Sequence, residues 1–207
     1  MTNGGYDEGY RQCPCFWGSE PGSYVRLLCE QIASIDGLRV LDAGCGEGKN
    51  AAFLAERGGI VEAVDISELA VRNGQRHWKG KAYVNWLRAD IRHIKLPREY
   101  YDIVIAYGLL HCLHTIDELQ TVLRRLQAAT RPHGYNVVCA FNARHQDLRA
   151  HSGFVPVLLS HVEYKRFYAV GWDILAESDS DLIERHPHNN IEHTHSMTRI
   201  LARKTLS

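Results

Sequence analysis

The sequence predicts a doubly wound α/β domain, a mostly parallel sheet covered by helices on both faces and closed by an antiparallel last strand. Three observations predict it. Short apolar runs alternate with helical segments from residue 38 to residue 143, the pattern of parallel strands joined by crossover helices. The first run ends in a glycine-rich turn that leads straight into a helix. The last two runs, at 171–181 and 193–204, have no helix between them and are expected to pair antiparallel through the connector LIERHPHNNIE.

The elements follow in order. Val25, Leu28, Cys29 and Ile32 recur at helical spacing, so a helix is expected over 21–34. LRVLDAG reads as a buried strand, and EGKNAAFLAERG as a helix closed by Gly58. IVEAVDIS is the second strand, followed by a helix with Ser67 as its N-cap. AYVNWLRAD and YYDIVIAYG supply the third and fourth strands. The amphipathic segment TIDELQTVLRRLQAATR is a helix expected to stop at Pro132 and Gly134, ahead of a fifth strand over GYNVVCAFNA.

The 207 residues suffice for one self-sufficient core. The expected division is an N-terminal lid and helix over 1–36, a ligand-binding half over 37–142 and an acceptor-side half over 143–207. Lysine plus arginine equals aspartate plus glutamate, 24 each, without the basic excess of a nucleic-acid binder. No run reaches membrane-spanning length and the N-terminal residues are polar, so a cytoplasmic chain acting on a small molecule is expected. The six cysteines form no CxxC pair or regular framework and read as reduced thiols.

The chemistry concentrates in Asp42-Ala43-Gly44-Cys45-Gly46-Glu47-Gly48, which runs off the first strand into a helix. In an open parallel sheet, ligands bind beyond the carboxyl ends of the strands. A dinucleotide fingerprint wants G-x-G-x-x-G, and its third glycine is replaced by Lys49. The chain instead offers D-x-G-x-G-x-G, with Asp42 and Glu47 bracketing the glycines. Two carboxylates suit a ligand with a cationic amine and a sulfonium and repel a pyrophosphate. Asp65, 21 residues after Gly44, ends the second strand, where an acid can accept both hydroxyls of a ribose. Asp90 ends the third strand, where it can take the amino group of an adenine.

With these residues, VLDAGCGEG, VDIS, ADI, YDIVIA and the paired tail strands, the chain resembles the class I methyltransferases that use S-adenosylmethionine, over roughly 38–204. The resemblance implies a Rossmann-like sheet of seven strands with an antiparallel last strand, and S-adenosyl-L-methionine as cofactor. The implied cofactor-binding set is Asp42, Gly44, Gly46, Gly48, Asn50, Asp65, Ile66, Asp90, Ile91 and Tyr107. CGEGKNAAFLAERG, TRPHGYNVV and the ending LIERHPHNNIEHTHSMTRILARK are similar to the tellurite-resistance methyltransferases, which act on small soft oxyanions or thiols. That similarity places Arg185 at the position of a substrate-contacting arginine, with Glu184 and Glu192 where the pattern has other groups.

Methyl transfer is an in-line displacement that needs a base only when the acceptor arrives protonated. His111, after the fourth strand, is the first candidate for that base, with His195 beside it in the catalytic set and Arg185 as anion holder. His193 and His195 share a strand face, but the tail spacing H-x-H…H-x-H of His186, His188, His193 and His195 is no common structural zinc pattern. Surface or acceptor-pocket histidines are therefore expected there, and no metal. Tyr10 and Trp17, in a glycine-rich aromatic stretch, are expected in a lid over the cofactor. The expected function is methyl transfer to a small organic acceptor. The alternatives are methylation of a soft anion or thiol, a nicotinamide-dependent oxidoreductase, and a nucleotide-binding module without catalysis.

Overall fold

Strand β4, Tyr101–Tyr107, is buried along almost its whole length, as a central strand covered on both faces must be. The computed structural model describes residues 6–13, 15–151, 153–186 and 190–206. A seven-stranded sheet runs in the order β3-β2-β1-β4-β5-β7-β6. The other strands are β1 (Arg39–Ala43), β2 (Ile60–Asp65), β3 (Val84–Arg88), β5 (Thr130–Gln146), β6 (Trp172–Arg185) and β7 (Glu192–Lys204). β1 to β5 pair in parallel, and β7 is antiparallel to both β5 and β6.

Alternate residues of one strand serve two cores. Leu41 and Ala43 face a cluster that holds Leu119, Val122, Leu123 and Leu126 of helix α5 (Ile116–Ala129), together with Tyr164 and Tyr168. Val40 faces the opposite cluster, with Val25 and Leu28 of α2 (Ser23–Gln31) and Ala51 and Leu54 of α3 (Lys49–Ala55). Each fully buried leucine contributes about 1.5–3 kcal/mol, so the two layers fix the winding of the chain. Helix α4 (Glu68–His77) starts where expected: the Ser67 hydroxyl accepts from the Ala70 amide at 3.1 Å.

Two boundaries differ from the sequence reading. α5 ends at Ala129 and β5 begins at the next residue, because the Pro132–Gly134 stretch is taken up as an irregularity within the strand. Tyr101 pairs with Thr130 and Ile103 with Tyr135, so the extra residues bulge out, with His133 at a φ of 63°. β6 runs on to Arg185, and the return to β7 is correspondingly short. A helix over Tyr6–Gln12 (α1), another over His161–Arg166 (α6) and a short 3-10 turn over Leu110–Cys112 complete the described elements. No helix among the described residues is long and apolar enough to cross a membrane.

Candidate active site

The sheet reverses its winding between β1 and β4, and a deep cleft opens beyond the carboxyl ends of the strands at that point. Its floor is the turn after β1. Gly44, Gly46 and Gly48 have φ angles of 68°, 55° and 77°, the left-handed region in which side chains are strained. A Cβ on Gly48 would stand 2.1 Å from the Trp86 ring. A Cβ on Gly46 would project between the turn and the lid, 3.0 Å from the Tyr10 hydroxyl. The missing side chains therefore keep open the space that a ligand needs beside this main chain.

The four carboxylates of the region are used differently. Asp65 lines the cleft and accepts the amides of Gly46 and Ser67, each at 2.8 Å. A carboxylate has about four lone-pair sites, so two remain for a ligand. Burial raises its pKa although the amides of Ser67, Gly46 and Ile66 pull the other way. Asp42 lies one layer behind the turn, fully buried, and neither oxygen makes a well-formed hydrogen bond among the described residues. Burial pushes it up to about 7, with the Ala51 amide dipole opposing. Glu47 is not held out to a cationic amine: it accepts the amides of Cys15 at 3.1 Å and Phe16 at 2.6 Å, and the Asn73 side chain at 3.0 Å. Asp90 does not line the cleft. Arg92 holds both of its oxygens, from Nε at 3.0 and 3.1 Å and from a terminal nitrogen at 2.7 Å. The expectation that this carboxylate reads an adenine gives way to an ion pair that Glu118 extends. Ile91 and Ala89, on either side of it, do line the cleft.

Residues 6–13 and 15–18 border the opening. Tyr6, Tyr10, Trp17 and Gly18 line it, and the Trp17 indole N–H donates to the Tyr10 hydroxyl at 3.2 Å. Both expected lid residues are thus at the cleft, and Tyr6 joins them. Lys49 fastens the segment from below, its Nζ donating to the Trp17 carbonyl at 2.9 Å. Asn50 lines the cleft while its side-chain oxygen accepts the Gly22 amide at 2.8 Å. Ile66 and Tyr107 complete the expected lining.

Residues 40–134 match the family described as a methyltransferase domain. Over those residues the chain carries a methyltransferase domain. An uncharacterized methyltransferase of Mycobacterium tuberculosis is 39% identical over 102 residues, 49% of this chain and 50% of that protein. The demethylmenaquinone methyltransferase of Clavibacter sepedonicus is 32% identical over 112 residues, 54% of this chain and 44% of its own. The chain thus spans about half the length of the curated relatives it matches. In fold it is similar to TehB of Haemophilus influenzae, with a TM-score of 0.74 at 21% identity over 89% of this chain and 62% of TehB. It is also similar to the 1,6-didemethyltoxoflavin-N1-methyltransferase of Burkholderia thailandensis, solved with its substrate and S-adenosylhomocysteine. That TM-score is 0.69 at 21% identity, over 99% and 87% of the two chains.

The far end of the methyltransferase cleft is lined by His111, Cys112, Phe141, Leu182, Glu184 and Met197. His111 is buried, and its Nδ1 accepts the Phe141 amide at 3.1 Å. That bond consumes the basic lone pair and leaves Nε2 as a donor. Burial, with His195 and His151 nearby, pushes the pKa down to about 3. The residue is a neutral hydrogen-bond donor, which corrects its reading as a base. His114, by contrast, is absent from the lining.

Arg185 points out of the sheet edge, more than half exposed, and pairs with Glu192 at 2.8 Å. Alternation along β6 puts Glu184 inward in its place. Of the surface and acceptor-pocket readings of the tail histidines, the surface one does not hold: His186, His193 and His195 are buried, while His188 lies outside the described residues. They meet His151, which no local pattern in the sequence singles out. Burial holds His195 down at about 4, and its ring stacks on Phe141 at 4.0 Å, with His111 on the opposite side at 3.9 Å.

Proposed function

We propose that the domain binds S-adenosylmethionine and passes its methyl group to a small organic acceptor by in-line displacement. The observation that carries this reading is the left-handed glycine turn at the winding reversal, with Asp65 aimed into the same cleft. The bare main chain at Gly44 and Gly46 leaves room for the methionine part, and the two uncommitted lone-pair sites of Asp65 match the two ribose hydroxyls. Ala89 and Ile91 offer apolar surface to the adenine, whose recognition needs no carboxylate from Asp90. The cofactor supplies a methyl group on a positively charged sulfur, which departs as a neutral thioether.

The chain's own part is position and exclusion of water. Tyr6, Tyr10 and Trp17 turn ring faces and edges toward the cleft, a setting that favours a sulfonium. His111 orients the acceptor by donating from Nε2, so that the acceptor's nucleophilic atom faces the methyl carbon. With the His111 lone pair committed to the Phe141 amide, the site would suit an acceptor atom that needs no proton removed, such as a bare ring nitrogen. With Arg185 turned outward and Lys49 engaged by the lid, the lining favours a neutral, largely apolar acceptor over an oxyanion.

Calorimetry with S-adenosylmethionine, S-adenosylhomocysteine and NAD tests the cofactor assignment: the first two are expected to bind and NAD far more weakly. Tight NAD binding with none of the sulfonium would overturn it. Release of S-adenosylhomocysteine with phenols, ring nitrogens, thiols, selenite and tellurite then ranks acceptors, and ring nitrogens, which need no base, are expected to lead.

A further inference from the structure

The side chains of His151, Glu184, His193 and His195 meet within the acceptor-side half. One atom from each, three ring nitrogens and a carboxylate oxygen, lies within 4.8 Å of the others. His151 Nε2 is 3.1 Å from His193 Nε2, 3.1 Å from His195 Nε2 and 3.2 Å from His186 Nε2. A ring nitrogen carries one hydrogen or one lone pair. It can therefore make one of those three contacts as a full hydrogen bond, and the other two remain close nitrogen–nitrogen approaches.

The outer nitrogens sharpen the conflict. His193 Nδ1 is 2.8 Å from the Ile191 carbonyl, which can only accept. His195 Nδ1 is 2.8 Å from the Gln146 side-chain oxygen. That amide is oriented by its own nitrogen, which donates to the carbonyls of Asn142 at 2.8 Å and Ser196 at 2.9 Å. Both rings thus carry their hydrogen on Nδ1 and turn bare Nε2 lone pairs inward. Glu184 completes the set, with Oε1 at 3.5 Å from His193 Nε2 and 3.7 Å from His195 Nε2. Two bare imidazole nitrogens and a carboxylate oxygen thus face one point beside His151 Nε2, and outward hydrogens fixed by carbonyl oxygens on two of the three rings are how imidazole ligands are held around a metal.

We infer that His151, His193, His195 and Glu184 hold a divalent transition-metal ion of the zinc type. Zinc–nitrogen bonds of about 2.0–2.1 Å in a tetrahedron put neighbouring ligand atoms about 3.3 Å apart, close to the separations at this site. Three imidazoles and a carboxylate suit zinc, cobalt or nickel and are poor ligands for magnesium or calcium. His186, stacked on Phe16 at 5.1 Å, separates the site from the lid. The ion would tie the β6–β7 hairpin to the segment after β5. Because Glu184 also lines the cleft, the ion would set a positive charge into the wall of its far end. This last consequence rests on the methyl-transfer reading; the site itself does not.

The test uses the full chain, stripped with a chelator and titrated with zinc, cobalt, nickel and magnesium salts, with no methyl donor present. One zinc per chain, a rise in melting temperature on adding it, and the intense visible bands of four-coordinate cobalt are expected. Glu184→Gln and His151→Asn should each weaken zinc by about a hundredfold or more. Gln146→Leu, which touches no ion, should weaken it by about 10–100-fold. His114→Ala, at an exposed histidine, should leave it unchanged. Should a ligand variant fail to fold, stoichiometry and the cobalt spectrum of the unaltered chain still decide. A stripped chain that takes up no zinc, or takes it up equally well in all folded variants, overturns the inference and makes the cluster a proton-sharing one. Either result is independent of whether methyl transfer is detected.

Discussion

At the glycine-turn end of the cleft, the end proposed for the cofactor, the lining draws on main chain: three left-handed glycines, the amides that Asp65 accepts, and the ends of β1 and β2. At the acceptor end it is side chain, from His111, Phe141 and Glu184, with buried imidazoles behind them. The first end is fixed by neighbours in sequence and tolerates almost no change of backbone conformation. The second is assembled from strands and loops some forty residues apart and depends on protonation, ring stacking and register. A methyltransferase fold can therefore hold its cofactor geometry while its acceptor chemistry is rebuilt.

The largest effect that would break this comparison concerns Asp42. Its folded carboxyl sits at about 7, against an unfolded value of about 3.9. The folded chain binds the proton more tightly, so stability falls as pH rises between those values and is flat beyond them. Three units correspond to at most roughly 4 kcal/mol. Denaturation across about pH 4 to 8 should show this slope in the parent chain and lose it in Asp42→Asn, so an unchanged slope would remove the rigid, dry layer assumed behind the turn. Next, Gly48→Ala combines positive-φ strain with a Cβ set into Trp86, and should cost about 3 kcal/mol of stability. Adding Trp86→Leu should recover the overlap but not the strain. Full recovery would show that the backbone there is less constrained than the acceptor end.

Smaller effects sharpen the contrast. Asp65→Ala should weaken S-adenosylhomocysteine by about 1.5–3 kcal/mol in calorimetry. Glu47→Gln keeps the shape of the lid tie but removes its charge, and should cost about 1 kcal/mol of ligand affinity, seen as faster dissociation. Asp90→Asn should change that affinity by less than about 0.5 kcal/mol, since the carboxylate belongs to Arg92; a large loss would return it to the adenine.

The same contrast explains what could be read from the chain alone. The glycine turn and the place of Asp65 at a strand end were legible because each rests on spacing within a few residues, while the seven-stranded sheet came from the family resemblance. Asp90 was misplaced although a signal was present: an arginine two residues on, in A-D-I-R, is positioned to claim a strand-end acid. Arg185 and Glu184 were exchanged because the strand was expected to end at 181, which left the inward parity undetermined. His193 and His195 were rightly put on one face, but their burial depends on His151 and on the length of β6, which only the folded register supplies. The lone pair of His111 was lost to an amide thirty residues away, a tertiary fact.

The glycine turn also ties down the N-terminal segment. Glu47 grips the amides of Cys15 and Phe16, and Lys49 the carbonyl of Trp17, on either side of Gly48. On the methyl-transfer reading, spent cofactor leaves only when that double clasp lets go. Exchange of the nucleotide and uncovering of the cleft become a single event with one rate constant. Turnover at saturating acceptor would then be timed by the clasp rather than by the methyl group's flight.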